Sequence, residues 1–130
     1  MEAKTSDATI HLELPCGPVA PRLAREAVRR VVGTGTVGDD AALVVSELVT
    51  NAVQHSGCAA DQMIVFDASV TGGCVLISVH DPGRSATPPR VRDEPVAHAG
   101  GLGLRLVEQI ARRWGWDRPD GRLVWAELAL

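Results

Sequence analysis

The residues of this sequence best suited to chemistry are two polar side chains set among apolar ones, Glu47 and Asn51. They stand four residues apart, which places them on one side of an α-helix and one turn from each other. Apolar residues surround them over the segment from Asp39 to Gly57, and burying a carboxylate or a carboxamide without a partner is costly. The pair therefore predicts either a polar stripe that reaches solvent or a bound ligand, and a hydrated metal ion is one such ligand.

A second inward-facing carboxylate follows from the alternation expected of a β-strand. The segment from Cys74 to Asp81 reads as a strand, and a period of two puts four residues on one face: Val75, Ile77, Val79 and Asp81. If the three apolar residues face the helices, Asp81 points into the same space. It can accept a hydrogen bond from an amino group such as that of adenine, although the sequence from Asp81 to Gly83 taken alone is typical of a turn.

A glycine cluster, Gly100, Gly101 and Gly103, stands directly before a further helical segment. Glycines at a helix start let the backbone approach a ligand closely, and the free N–H groups there favour phosphate. A carboxamide oxygen suits Mg²⁺, and a glutamate one turn away could deprotonate a nucleophile. Taken together with Asp81, these residues describe an ATP·Mg²⁺ site, although a glycine cluster by itself is more often a requirement of a loop.

The elements that position these residues are predicted in the order β-α-α-β-β-loop-α-β-β. The order favours an α+β fold, a two-layer sandwich in which a mostly antiparallel mixed sheet is covered on one face by three helices. Residues 1–8 read as an N-terminal tail and residues 9–130 as one domain, with a loop at about 84–99 that is long for a compact domain. Strands are predicted from Thr9 to Leu14, Met63 to Val70, Cys74 to Asp81, Gly115 to Arg118 and Arg122 to Leu128. Helices are predicted from Val19 to Val32, from Asp39 to Gly57 and after Gly103, the last with a core face of Val107, Ile110, Ala111 and Trp114.

Composition narrows the function classes. The chain has 130 residues, 45% of them hydrophobic, and a net charge of −3, which argues against a nucleic-acid-binding module. It has no apolar run near the ~20 residues of a membrane span and no signal peptide, so we expect a cytoplasmic protein that does not contact the membrane. Its three cysteines, Cys16, Cys58 and Cys74, have no metal-like spacing and are predicted to be free thiols.

Three ordered motifs make the resemblance to a known family specific. The segments from Glu47 to His55, from Asp81 to Gly83 and from Gly100 to Leu104 resemble the N, G1 and G2 boxes of the GHKL, or Bergerat-fold, ATPase superfamily. Within it the chain is most similar to the stand-alone anti-sigma factor serine kinases of the SpoIIAB and RsbW type. The similarity extends from the first strand to the last.

The resemblance implies a role for each site residue. Glu47 would be the general base, Asn51 would ligate Mg²⁺, Asp81 would bind the adenine amino group, and Gly83 would give room beside the base. The phosphates of ATP would be held by the glycine cluster and the following amide, at Gly100, Gly101, Gly103 and Leu104, under a lid formed by residues 84–99. Many family members carry a threonine on the last strand that helps to hold adenine, and the matching position here is expected to be Leu123.

The function implied is that of an ATP-binding regulator with serine/threonine protein kinase activity. Its partners would be a sigma factor, which it sequesters, and a STAS-domain anti-anti-sigma antagonist, which it phosphorylates. The family is also compatible with a homodimer. Two alternatives stand beside this hypothesis: a non-catalytic switch that uses ATP only to fix a shape that a partner recognises, and a degenerate interaction module that binds no nucleotide.

Overall fold

Within the described part of the chain, five antiparallel strands form one sheet, in the order β1-β2-β3-β5-β4. The computed structural model describes residues 8–55, 57–83, 104–117 and 121–130. The strands are β1 (Ala8–Pro15), β2 (Met63–Thr71), β3 (Cys74–Asp81), β4 (Arg113–Asp117) and β5 (Arg122–Ala129), and the helices are α1 (Ala20–Val32), α2 (Thr36–His55) and α3 (Leu104–Ile110). The predicted α+β class is confirmed.

Burial alternates along the central strands, so one face of the sheet is covered and the other is open. In β2 and β3 every second side chain is buried, and the described helices pack on that side. The core contains alternating strand residues, among them Ile64, Phe66, Val75, Ile77, Val79, Val124, Ala126 and Leu128, together with the apolar stripes of α1 and α2. This packing gives the two layers that the sequence predicts.

The hairpin between β2 and β3 has the shortest connection that an antiparallel pair allows. Gly72 and Gly73 form a two-residue loop, and both have positive φ angles, +57° and +83°. A type I′ turn requires positive φ at both central positions, and glycine adopts such angles without a steric penalty. The two glycines therefore fix the register with which β3 carries Asp81 to its far end.

Helix α2 starts at Thr36, three residues before the predicted start at Asp39. The amide of Asp39 donates to the carbonyl oxygen of Gly35 at 2.8 Å, so Asp39 already lies within the first turn. There its negative charge interacts favourably with the positive end of the helix dipole. Gly57, just beyond the end of the helix, has a φ angle of +80°, as expected of a glycine that stops a helix. Although α2 has 20 residues, no helix in the described ranges is both long enough and apolar enough to cross a membrane.

The third helix is shorter than predicted. It ends at Ile110, and Trp114, which was expected on its core face, lies in β4 opposite Ala126. The prediction was wrong because the spacing of Val107, Ile110 and Trp114 also fits a helix that stops and gives way to a strand. Hydrogen bonding to β5 decides between the two, and that pairing cannot be read from local periodicity.

Two of the three cysteines are paired, so the prediction of three free thiols is wrong for Cys16 and Cys58. They form a disulfide across a sequence separation of 42 residues, with their Cα atoms 6.4 Å apart. Cys16 follows β1 and Cys58 follows α2, so the tertiary fold brings together residues whose spacing suggested no link. Cys74 is free.

Candidate functional site

The candidate site lies at the end of the sheet where β3 stops and β5 begins. The strand register sets Asp81, the last residue of β3, directly opposite Arg122, the first residue of β5. Because β3 and β5 are antiparallel neighbours, both side chains point to the covered face, and both are buried. The C-terminal half of α2 passes over this end and contributes Asn51.

Asp81 is a fully buried carboxylate, with 0% of its surface exposed. Its Oδ1 accepts a hydrogen bond from the amide of Gly83 at 2.8 Å, which fixes the turn through Pro82. Its Oδ2 lies 3.4 Å from Nε of Arg122 and has no hydrogen-bond partner within the described part of the chain. The predicted inward orientation of Asp81 is therefore confirmed, and one of its oxygens is a buried acceptor.

Arg122 connects the two halves of the site. Its Nη2 donates to Oδ1 of Asn51 at 2.8 Å and contacts the backbone oxygen of the same residue at 3.3 Å. Only 2% of the side chain is exposed. One guanidinium thus holds both the carboxamide expected to bind a metal and the carboxylate expected to bind adenine.

Helix α2 places Glu47 and Asn51 as its sequence predicts. Both side chains are half-buried and stand one turn apart, beside the buried Val44 and Leu48. Next to Glu47, the hydroxyl of Ser46 accepts a hydrogen bond from Nη1 of Arg25 at 2.9 Å. This contact joins α2 to α1, and the hydrogen bond between Asn51 and Arg122 joins α2 to β5.

Close backbone contact shapes the remaining edge of the site. Gly121 has a φ angle of +93°, and a Cβ atom there would collide with the carbonyl oxygen of Asp81 and come within 3.1 Å of Cα of Pro82. A glycine is therefore required immediately before Arg122. Gly83 is buried in the same region and supplies the amide that Asp81 binds.

Several predicted site residues lie outside the described ranges, namely the glycine cluster of Gly100, Gly101 and Gly103 and the lid at residues 84–99. Leu104, the fourth residue of the predicted phosphate-binding group, is buried at the start of α3. The roles assigned to these residues therefore stay predictions, as do those of Glu47, Asn51, Asp81 and Gly83.

The match of Leu123 with the family's threonine on the last strand stays a prediction. Leu123 stands opposite His80 and is half-buried, whereas the residue opposite Asp81 on the covered face is Arg122. The signal that could have identified Arg122 was present in the sequence. In the predicted strand from Arg122 to Leu128, a period of two puts Arg122 on the same face as Val124. Because valine is apolar, that face is expected to point to the core, and Arg122 with it.

The arrangement fits the two parts of ATP·Mg²⁺ differently. The buried Oδ2 of Asp81 is suited to an amino group, so this residue fits adenine. Asn51 is a poor ligand for Mg²⁺ in this arrangement, because its Oδ1 already accepts a hydrogen bond from a cation at 2.8 Å. Across the four described ranges, no group of three or more His, Cys, Asp or Glu residues could hold a metal ion.

Comparison with known proteins identifies the class. The model of the histidine kinase-like ATPase domain matches residues 18–128, so the chain belongs to that family, and membership implies ATP binding. The predicted place in the GHKL superfamily is thereby confirmed.

A solved structure shares the fold. The crystal structure of the RsbU and RsbW domains of Rv1364c from Mycobacterium tuberculosis aligns with a TM-score of 0.66 and 24% sequence identity. The match covers 93% of this chain and 31% of that chain, so the present chain spans about a third of the length of the matched one. No curated protein matches the sequence.

Proposed function

We propose that the chain is an ATP-binding regulator of the anti-sigma type, with serine/threonine protein kinase activity toward a STAS-domain antagonist. The observation that carries the nucleotide-binding part is Asp81. It is a fully buried carboxylate with one oxygen fixed by Gly83 and the other without a hydrogen bond in the described residues. A buried acceptor of this kind needs a donor, and the exocyclic amino group of adenine is one.

In the kinase reaction that we propose, Glu47 is the general base. Its carboxylate would take the proton from the serine hydroxyl of the antagonist, whose oxygen then forms a bond to the γ-phosphorus while the bond to the bridging oxygen of ADP breaks. Family resemblance and the place of Glu47, one turn before Asn51, support this assignment. The sequestered sigma factor and the antagonist are proposed from the same resemblance.

The kinase claim is tested with purified protein, candidate STAS-domain proteins from the same genome and γ-labelled ATP. We expect label on the antagonist with the wild-type protein and its loss with Glu47→Gln, whereas nucleotide affinity stays unchanged. Glu26→Gln is the matched control, because Glu26 lies exposed on α1 and pairs only weakly with Arg22, at 3.9 Å. Equal label transfer by wild type and Glu47→Gln would refute the role of Glu47.

A second function is favoured by one specific contact. Because Arg122 engages Asn51, the predicted metal ligand, the site could bind ATP without transferring its phosphate and act as an ATP-dependent interaction switch. In that case ATP would change the affinity for the sigma factor or antagonist, and no label would be transferred by the wild type. Calorimetric titration of the partner with and without nucleotide separates the two functions.

A further inference from the structure

We propose that the guanidinium of Arg122 is the resident cation of this site and that the site consequently binds its nucleotide without Mg²⁺. The inference rests on the proposed function, because it concerns how the same site receives the phosphates of a nucleoside di- or triphosphate. Three observations support it: the position of the guanidinium, the charge that it balances and the ligand atom that it occupies.

The guanidinium lies where the family resemblance places the metal. Its Nη2 is 2.8 Å from Oδ1 of Asn51, which is the atom assigned to Mg²⁺, and its Nε is 3.4 Å from Oδ2 of Asp81. Two contacts to two different elements, α2 and β3, fix the side chain in this place. With 2% of its surface exposed, Arg122 is a built part of the site and not a surface residue that has folded inward.

The charge of Arg122 is required where it stands. Asp81 has 0% exposure, and a buried carboxylate needs an opposite charge or several hydrogen bonds. The amide of Gly83 supplies one hydrogen bond, and Arg122 supplies the positive charge. The pair is electrically neutral, so Asp81 contributes no uncompensated negative charge that would attract a divalent cation.

Mg²⁺ and Arg122 disfavour each other at Asn51, because both are cations that would share one carboxamide oxygen. Mg²⁺ binds oxygen at about 2.0–2.1 Å in near-ideal octahedral geometry. An ion on Oδ1 of Asn51 would therefore lie beside a guanidinium that is itself only 2.8 Å from that oxygen. An arginine can take over the charge role, since its planar fork of N–H donors pairs bidentately with phosphate.

The test is calorimetric titration of ADP and of a non-hydrolysable ATP analogue into the full chain, with excess Mg²⁺ or with EDTA. For the wild type we expect Kd values that agree within about threefold in the two conditions. For Arg122→Met, which keeps an unbranched apolar stem and removes the charge, we expect Mg²⁺ to tighten binding by about tenfold or more. Arg22→Met is the matched control, because Arg22 is exposed on α1, and it should behave as the wild type does.

Three results would overturn the inference. The first is wild-type binding that weakens about tenfold or more in EDTA, and the second is Arg122→Met binding as independent of Mg²⁺ as that of the wild type. The third is the absence of nucleotide binding in both conditions, which would refute the proposed function together with this inference, whereas the first two leave nucleotide binding intact. The wild-type comparison needs no variant. If Arg122→Met does not fold, Arg122→Lys is measured in its place; it keeps a cation, and its nucleotide binding should stay independent of Mg²⁺.

Discussion

Removing the charge of Arg122 should destabilise the fold strongly, and removing the charge of Asp81 as well should restore part of the loss. The two groups are 3.4 Å apart, and at an effective dielectric constant of about 20 their attraction is about 5 kcal/mol. Most of that attraction offsets the cost of burying the two charges. Breaking a buried pair from one side typically costs about 3–5 kcal/mol, because the remaining charge has no partner.

For Arg122→Met we therefore expect a loss of about 3–5 kcal/mol in the free energy of unfolding. In a domain of 130 residues this corresponds to a fall in Tm of roughly 10–20 °C. The double variant Asp81→Asn/Arg122→Met has no buried charge at this point, and its asparagine can still accept the hydrogen bond from Gly83. It should be more stable than Arg122→Met by at least about 1.5 kcal/mol.

Urea denaturation followed by circular dichroism measures all members of this double-mutant cycle. A matched cycle with Arg22→Met and Glu26→Gln tests an exposed pair at 3.9 Å, for which a coupling of only about 0.3–0.5 kcal/mol is expected. Losses of the two single variants that simply add in the double variant would contradict a coupled buried pair. A loss for Arg122→Met no larger than that of the exposed control would contradict it as well.

Three further predictions concern stability away from the site. Gly38→Ala should destabilise the chain by about 1–3 kcal/mol in a urea titration, because its Cβ would collide with a backbone carbonyl at the end of α1. Gly17→Ala is the control, because a Cβ there has free space, and it should be nearly neutral. Cys58→Ser opens the disulfide and should cost about 2–4 kcal/mol, and a reductant should lower the Tm of the wild type but not that of the variant. The hydrogen bond from Arg113 holds the pKa of Glu127 below its usual value. The ionised Glu127 therefore stabilises the fold above about pH 4.5, and this stabilisation is lost as the pH falls through the lowered pKa. Below that range the stability of the wild type should approach that of Glu127→Gln, and an equal difference at all pH values would contradict the assignment.

Local patterns were enough to predict much of the fold. The alternation that ends at Asp81 correctly indicated an inward carboxylate, and the predicted bounds of the strand from Cys74 to Asp81 are those of β3. In both cases the information lies within a few residues of sequence. The polar pair of Glu47 and Asn51 was placed on one side of α2 for the same reason, since a helix brings residues i and i+4 together.

The features that could not be predicted depend on contacts between distant segments. The disulfide joins residues 42 positions apart, and the end of α3 depends on the pairing of β4 with β5. Arg122 shows the intermediate case. Its inward face follows from strand periodicity, but its position opposite Asp81 depends on the register between β3 and β5, which is a tertiary property.

The hairpin at Gly72 and Gly73 has a practical consequence for attaching a label to the protein. The amide of Leu130 donates to the carbonyl oxygen of Gly73 at 2.8 Å, so the last residue of the sequence lies beside the hairpin. Strand β3 has eight residues and separates this end of the sheet from Asp81 by about 24 Å. A fluorophore, surface tether or fused reporter attached after Leu130 would therefore emerge at the end of the sheet away from Asp81 and Arg122. Immobilised or labelled protein can thus report on nucleotides while the attachment point stays clear of the site.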